Sequence, residues 1–555
     1  MSNKEIASQF SLLSQLMDIH GENSFKSKTY SIAAYKISQL TVDLYTFSEK
    51  EIAQVSGIGE AIAKKIIEII STGTMKILKN LILITPPGIF EMLKIKGIGP
   101  KKIAVIWREI GIENIGELLY ACSENRLLLY PGFGKKTQAN VKEAIEFYLS
   151  QQGNYLYAQV ELLANELVAF FKKLFKGKKI MITGEFSRQA ETVDSLDFVI
   201  TTSAEKIIET IYDLTEFKLL QNNSNLISYQ YNEGIVVNIY PASGTNFIKE
   251  VFETTGSSEF YSFFINNFPA IKFEDVKNEK ELFIRAGIQY IPPFLRESKS
   301  IIQVAKGFNI PIIIQPGDIK GIIHCHSNWS DGVNSIEQLA AAAIERGKEY
   351  LVMSDHSKTA TYANGLTEQR VKEQHAFIDS LNKKLAPFKI FKSIESDILN
   401  DGSLDYSNSV LSTFDLVIAS VHSNLKMNQE KAMTRLLKAI ENPYTTILGH
   451  MTGRLLLSRN GFPVDYKLII DACAAHNVVI EINAHPRRLD MRWQWIEYAL
   501  SRNVLLSIDP DAHSIPEFEN TRYGVLVAQK GMLTAENNLS SFDREKFENY
   551  LRKRK

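Results

Sequence analysis

After residue 318 the chain repeats one pattern seven times: a short apolar run that closes on polar residues. No other feature constrains the fold as strongly. The runs are GIIHCH, YLVMSD, FKSIESD, DLVIASVH, TTILGH, VVIEIN and VLLSID. Stretches with helical spacing of apolar residues lie between them, among them IEQLAAAAIERG, QEKAMTRLLKAIE and YKLIIDACAAH. Strand and helix in alternation predict a mainly parallel sheet. Seven units in succession predict a closed (β/α) barrel rather than an open sheet.

In such a barrel the C-terminal strand ends form one rim, where side chains from distant parts of the chain converge. His324 and His326 end the first strand, and Asp331 sits in the loop that follows. His356 comes just after the second strand, Glu395 lies in the third, His422 ends the fourth and His450 the fifth. Asp511 and His513 follow the seventh. His324 and His326 are two residues apart, which on a regular strand places both on one face. A single histidine of this kind is best read as a hydrogen-bonded core residue. Six at strand ends, joined by three carboxylates, are not. Imidazoles and carboxylates are the usual ligands of zinc, manganese and iron. Nine are too many for one tetrahedral ion and suit two or three. His20, His375, His476 and His485 fall outside the pattern.

With 555 residues the chain is long enough for several domains. No apolar run approaches the ~18 residues of a membrane span. The first residues, MSNKEIASQF, lack a basic segment followed by an apolar core. Three widely spaced cysteines fit a reducing, cytoplasmic setting. Lys plus Arg and Asp plus Glu balance at 63 each, so total charge neither implies nor excludes a nucleic-acid partner. The basic run FKKLFKGKK at 171–179 reads equally as a solvated helix end or as part of a binding patch.

The N-terminal part reads as helices and contains a second repeat. VSGIGEAIAKKI, IKGIGPKKIAVI and YPGFGKKTQANV each place a Gly-hydrophobic-Gly turn before a helix. The glycines are Gly57 and Gly59, Gly97 and Gly99, Gly132 and Gly134. A helix start presents unpaired N–H groups, which attract phosphate. Lys64 and Lys65, Lys101 and Lys102, Lys135 and Lys136 add positive charge after each turn. The bland alternative is a connector without a ligand. The repeated turn resembles helix-hairpin-helix motifs, which hold the DNA backbone without reading sequence.

The order HCH, SDG, SDH, Glu, ASVHS, GH, DAH resembles the PHP phosphoesterase family over about 318–520. That resemblance implies a distorted seven-stranded barrel with up to three divalent ions, Mn or Zn foremost and Mg a further option. It implies one ion on His324, His326, Glu395 and Asp511, a second on Glu395, His422 and His450, and a third on Asp331, His356 and His513. Such ions lower the pKa of a bound water and neutralise charge on phosphate. Arg454 and Arg488 look like phosphate clamps, because guanidinium matches phosphate oxygens; a surface role is the alternative.

The first 300 residues resemble bacterial family X DNA polymerases, in which a fused PHP domain is a known arrangement. The resemblance implies a helical lyase-like domain at 1–82, a fingers-like hairpin domain at 83–152, a nucleotidyltransferase-like palm at 153–242 and a thumb at 243–300. A linker at 301–317, the PHP domain at 318–540 and a tail at 541–555 complete the order. In the palm segment GEFSRQAETVDSLDFV, Gly184, Arg188, Glu191 and Asp197 fit the family. Ser195 stands where the family has its first metal-binding Asp, Asn238 where it has its third carboxylate, and Glu185 where a serine meets triphosphate. Asp194 is one residue out of step and on a strand would face the other way. Two magnesium ions beside a triphosphate need more anionic oxygen than this offers. Lys65 aligns with the family lysine that forms a Schiff base with an abasic sugar; a plain backbone contact is the other reading.

The sequence therefore predicts a DNA-binding phosphoesterase, a 3′–5′ exonuclease in repair, whose polymerase activity is weak or lost. Other readings are a gap-filling polymerase with an accessory PHP domain, a phosphatase on a small monoester, and a non-catalytic clamp on DNA.

Overall fold

The computed structural model describes residues 2–40, 42–55, 58–95, 97–150, 153–232 and 234–554, without the side chains of Phe147 and Ser150. Two compact units result: Met1–Cys122 with Leu127–Tyr148, and Ser123–Arg126 with Leu149–Lys555.

The first unit is helical. Its turns repeat the same backbone contact: Ile58 N–H donates to Val55 O (2.9 Å), Ile98 to Ile95 (3.3 Å) and Phe133 to Tyr130 (3.2 Å). The apolar residue between each glycine pair is buried, so it anchors the turn to the core. Gly97 and Gly132 take φ of +91° and +89°, where a side chain would be strained. Gly59 and Gly99 cap the helices Glu60–Thr72 and Pro100–Arg108, and Pro100 takes the first helical position. Gly134 O accepts from Gln138 at the start of Lys135–Ser150. Gly57 lies outside the described residues.

The second unit opens with β1 (Tyr155–Leu156), which pairs antiparallel with β3 (Thr192–Val193). A five-stranded sheet follows, built from β2 (Ile180–Thr183), β4 (Ser195–Ile200), β5 (Phe217–Asn222), β6 (Ile227–Tyr231) and β7 (Val236–Pro241). The strand order is β2-β4-β7-β6-β5, with β4 and β7 parallel. The sequence reading missed β5: it is an edge strand whose residues after Phe217 are all exposed, so it carries no two-residue alternation to read. The helix Tyr157–Leu174 lays Phe171 against Phe198 (4.9 Å between ring centroids) and ends with exposed Lys172 and Lys173, the solvated end of the basic run.

The barrel strands are β8 (Gly321–Cys325), β9 (Tyr350–Met353), β10 (Lys389–Asp397), β11 (Leu416–Ser420), β12 (Thr445–Leu448), β13 (Val479–Asn483) and β14 (Leu506–Asp509). Each pairs in parallel with the next in sequence order. A parallel bridge between Cys325 and Ala512 joins the two ends of the sheet. Ser335, Thr367, Asn428 and Asp465 cap the intervening helices with their side chains, which fixes where each helix departs from its loop.

Residues 301–317, expected as a linker, include the helix Ser300–Lys306, whose Ile301, Ile302 and Ala305 join one apolar cluster with Phe252, Phe264 and the barrel residues Val417 and Leu448. The segment 541–555 carries the helix Arg544–Arg554. Its Phe547 stacks on Tyr350 (4.5 Å) and meets Phe391 edge-on (4.8 Å), near the beginnings of β9 and β10. That end of the barrel is filled with apolar side chains, which leaves the opposite rim for chemistry. Phe547→Ala is expected to lower unfolding free energy by about 3 kcal/mol, read as a lower urea midpoint; exposed Phe308→Ala is expected to leave the midpoint unchanged.

Candidate metal centre

The rim residues meet. Glu395, near the end of β10, is their centre. Its Oε1 lies 2.9 Å from His450 Nε2, 3.1 Å from His422 Nε2 and 3.3 Å from His324 Nε2. Its Oε2 lies 3.0 Å from His356 Nδ1 and 3.7 Å from His326 Nε2. Asp511 Oδ1 is 3.1 Å from His326 Nε2 and 3.3 Å from His324 Nε2. Asp331 Oδ2 is 3.4 Å from His356 Nε2 and 3.5 Å from His513 Nε2. All nine side chains are buried or nearly so.

Three groups of donor atoms lie close enough for a shared ion: His326, Asp331, His356 and His513; His324, His326 and Asp511; His356, Glu395 and His422. His326 and His356 each join two groups, a sharing the sequence did not indicate. His324 Nε2, His326 Nδ1, Asp331 Oδ2, both His356 nitrogens, Glu395 Oε2 and His513 Nε2 are buried without a hydrogen-bond partner. Unsatisfied lone pairs of imidazole and carboxylate that converge at such distances are the donor set divalent cations require. The residues present therefore fit the metal ions.

The pairing of His324 with His326 has a different cause from the one expected. The β8–β9 register shifts between Ile322 and Cys325, and His324 adopts φ +59°. A left-handed residue, not strand alternation, brings the two rings to 5.3 Å. Asp511 is likewise left-handed, at φ +52°. Strained backbone at two neighbouring ligands is typical of a functional site.

Electrostatics point the same way. Burial opposes charge on His324, but Asp511, Glu481 and Glu395 outweigh it and hold its pKa well above the ordinary value. Burial is likewise overcome at His422, raised to about 9 by Glu395 and Asp397, and at His513, raised to about 10 chiefly by Asp331. Glu395 and Asp511 are held well below the carboxylate range despite burial, Glu395 first by His422 and Asp511 first by His324. The cluster thus attracts positive charge, which protons on imidazole or divalent cations supply.

Two carboxylates orient ligands from behind. Glu481 Oε2 accepts from His324 Nδ1 (2.6 Å), while its Oε1 accepts from the His450 backbone N–H (3.2 Å) and Asn483 Nδ2 (2.7 Å). Asp397 pairs with His422 Nδ1. The sequence reading singled out neither. Both left a trace: Glu481 is a charge inside the apolar strand VVIEIN, and Asp397 lies two residues beyond Glu395 on the same strand face.

Arg454 is engaged away from the ligand cluster. Its guanidinium binds both Glu191 oxygens (2.6 and 3.2 Å), Arg488 O (2.9 Å) and Leu489 O. With most donors so engaged, the geometry favours a structural tie over a phosphate clamp. Arg488 lies at the cluster, with Nε 3.8 Å from Asp511 Oδ2. In the palm-like sheet, Asp197 Oδ1 accepts from Ser195 Oγ (3.0 Å) and Asn238 Nδ2 (2.8 Å), and Asn238 Oδ1 accepts from Ser228 Oγ (2.7 Å). Burial, relieved in part by these bonds, raises the Asp197 pKa. Gly184 packs so closely that an added Cβ would fall 2.1 Å from Asp197 Oδ2. Arg188 reaches Thr255 O (3.0 Å) and Glu297 (3.4 Å). Lys65 pairs with Glu68 (2.6 Å) along its own helix. Lys101 and Lys135 are exposed, and Lys102 lies 6.0 Å over the Phe133 ring. Among the described residues, no helix is long and apolar enough to cross a membrane.

Barrel topology, ligand set and strained rim together define a PHP-type metal centre, joined in one chain to helix-hairpin-helix modules. Matches to known families agree: a helix-hairpin-helix domain at 1–75, a SAM-like helix-hairpin-helix tandem at 89–146 and a PHP domain at 323–485. The chain is 30% identical over 576 residues to the DNA polymerase/3′-5′ exonuclease PolX of Bacillus subtilis (strain 168), covering 100% of both. It belongs to the bacterial family X DNA polymerases of the PolX type. A "Probable phosphatase" of Thermoanaerobacter sp. (strain X514) is 27% identical over 165 residues, 29% of this chain and 62% of that protein. Another, from Vibrio atlanticus (strain LGP32), is 26% identical over 210 residues, 35% and 79%.

Glu481→Gln keeps a hydrogen bond to His324 but removes the charge. It is expected to weaken metal binding by about 10- to 100-fold, measured by titration of Mn²⁺ or Zn²⁺ onto the metal-stripped protein. Because raised pKa values leave imidazoles protonated at neutral pH, each ion must displace protons. Affinity is therefore expected to rise steadily from pH 6 to pH 8 with measurable proton release, and a pH-independent affinity would contradict this.

Proposed function

We propose that this protein hydrolyses phosphodiester bonds of DNA as a 3′–5′ exonuclease in repair, at the barrel rim. The convergence of nine imidazole and carboxylate ligands on the rim, seven of them with a buried polar atom that meets no hydrogen-bond partner, carries the reading. Up to three ions, Mn²⁺ or Zn²⁺ before Mg²⁺, would be held by His324, His326, Asp331, His356, Glu395, His422, His450, Asp511 and His513. When bound they lower the pKa of water and neutralise phosphate charge. Glu481 and Asp397 keep the His324 and His422 rings aimed inward. Arg488, beside Asp511, is placed to hold a phosphate oxygen.

The hairpin turns supply the DNA grip through helix N-termini and Lys101, Lys102 and Lys135, independent of sequence. A DNA substrate fits a cytoplasmic protein. The phosphatase-like relatives match about a third of the chain, whereas the full-length match is to a DNA polymerase/3′-5′ exonuclease, which supports diester over monoester hydrolysis. Polymerase activity is weak or absent in this reading: Ser195 and Asn238 spend their polar atoms on Asp197, leaving one buried carboxylate where several are needed.

His324→Ala or Asp511→Ala is expected to abolish shortening of a 5′-labelled, 3′-recessed primer and to remove at least one bound ion by elemental analysis. Unchanged cleavage in both variants would overturn the site. With degradation silenced by His324→Ala, the protein is expected to extend no primer with dNTPs and Mg²⁺; robust templated extension would put the polymerase reading first.

A further inference from the structure

Tyr362 lies in the loop after β9, a loop that neither the ligand set nor its supporting carboxylates explain beyond His356. The loop is tightly specified. Leu366 N–H donates to His356 O (2.8 Å), and Gly365 N–H to Ala360 O (3.0 Å). Thr359 binds Asp405 (2.7 Å) and Asp397 (2.8 Å), and Asn364 Nδ2 donates to Trp329 O (3.1 Å). A Cβ at Gly365 would stand 1.9 Å from Ser357 O, so the chain cannot relax there. The 3₁₀ turn Thr361–Ala363 therefore presents Tyr362 in one place.

That place is beside the ion group of His356, Glu395 and His422. The Tyr362 ring centroid lies 6.1 Å from His356 and 6.4 Å from His422. The Arg126 guanidinium lies 4.4 Å from the ring centroid. The phenol oxygen is buried and has no hydrogen-bond partner. A buried hydroxyl without an acceptor forfeits its hydration for nothing, unless a ligand completes it. Burial, joined by Asp397, Glu124 and Glu395, outweighs the nearby Arg126 and raises the phenol pKa well above its ordinary value. The group is thus a fixed O–H donor beside the His356 and His422 ligands, where it meets no acceptor.

Resting on the phosphoesterase reading above, we propose that Tyr362 is a further catalytic residue whose hydroxyl donates a hydrogen bond to a non-bridging oxygen of the scissile phosphate, on the His356–Glu395–His422 side of the centre. The phenol keeps its proton throughout. It binds phosphate and supports the charge that grows on that oxygen as the ester bond breaks.

Tyr362→Phe in the full-length, metal-loaded protein tests this, because the phenyl ring preserves contact with both histidines. Two readouts are needed: hydrolysis of bis(4-nitrophenyl) phosphate, and calorimetric titration of inorganic phosphate onto the loaded protein. The expected result is a fall of about 100-fold in kcat/KM and a phosphate Kd weaker by about tenfold, with metal content at the wild-type level. Either readout left at its wild-type value overturns the proposal. Loss of bound metal in the variant also overturns it, in favour of a role in shaping the loop. If the wild type hydrolyses no phosphodiester, the phosphoesterase reading fails, and the phosphate titration still decides whether Tyr362 binds the anion.

Discussion

The Glu395 carboxylate lies within 3.7 Å of imidazole nitrogens from five histidines, and the barrel rim is arranged around that one buried charge. A carboxylate so far from solvent is tolerated when cations or donors surround it. Strand β8 and the segments that follow β8, β9, β11 and β12 deliver those nitrogens around a carboxylate that β10 supplies. Moving any strand by a residue would leave the charge uncompensated, so ligand placement and barrel register are one constraint. Left-handed backbone at His324 and Asp511 is a local cost that this arrangement accepts.

Much of this was legible in the sequence. The seven strands were marked by apolar runs, and the rim by histidines at their ends. What escaped was whatever depends on three-dimensional sharing. His326 and His356 each stand between two donor groups, which linear order does not reveal. Glu481 and Asp397 look like stray charges in strands until their histidines are seen beside them. The hairpins were readable because glycine and the buried Ile58, Ile98 and Phe133 recur at fixed spacing. The edge strand β5 was not, because an exposed strand needs no alternation. Arg454 misled because a guanidinium near a phosphate site and one that braces two loops have the same sequence signature.

The palm-like sheet shows a carboxylate satisfied by its own neighbours. Asp197 is enclosed by Ser195, Asn238 and Ser228 in a chain of hydrogen bonds, a self-sufficient arrangement with little need of an external cation. Meanwhile Arg188 and Glu191, also in the palm segment, pair with residues beyond it, Arg188 with Glu297 and Glu191 with Arg454. Arg188 O accepts from Lys530 Nζ (2.7 Å), and Lys530 pairs with Glu297 (2.5 Å).

Those contacts mean that the barrel does not own all its counter-ions. Arg454 and Lys530 are both buried cations of the C-terminal half, and their carboxylates, Glu191 and Glu297, come from sequence that precedes residue 318. A barrel excised at its own first strand would expose both cations to solvent or strand them unpaired, with the carbonyls of Arg488 and Leu489 held by an arginine that had lost its anchor. The catalytic half of this chain is therefore not a detachable cassette: the sequence before it supplies two of the negative charges that its buried cations need.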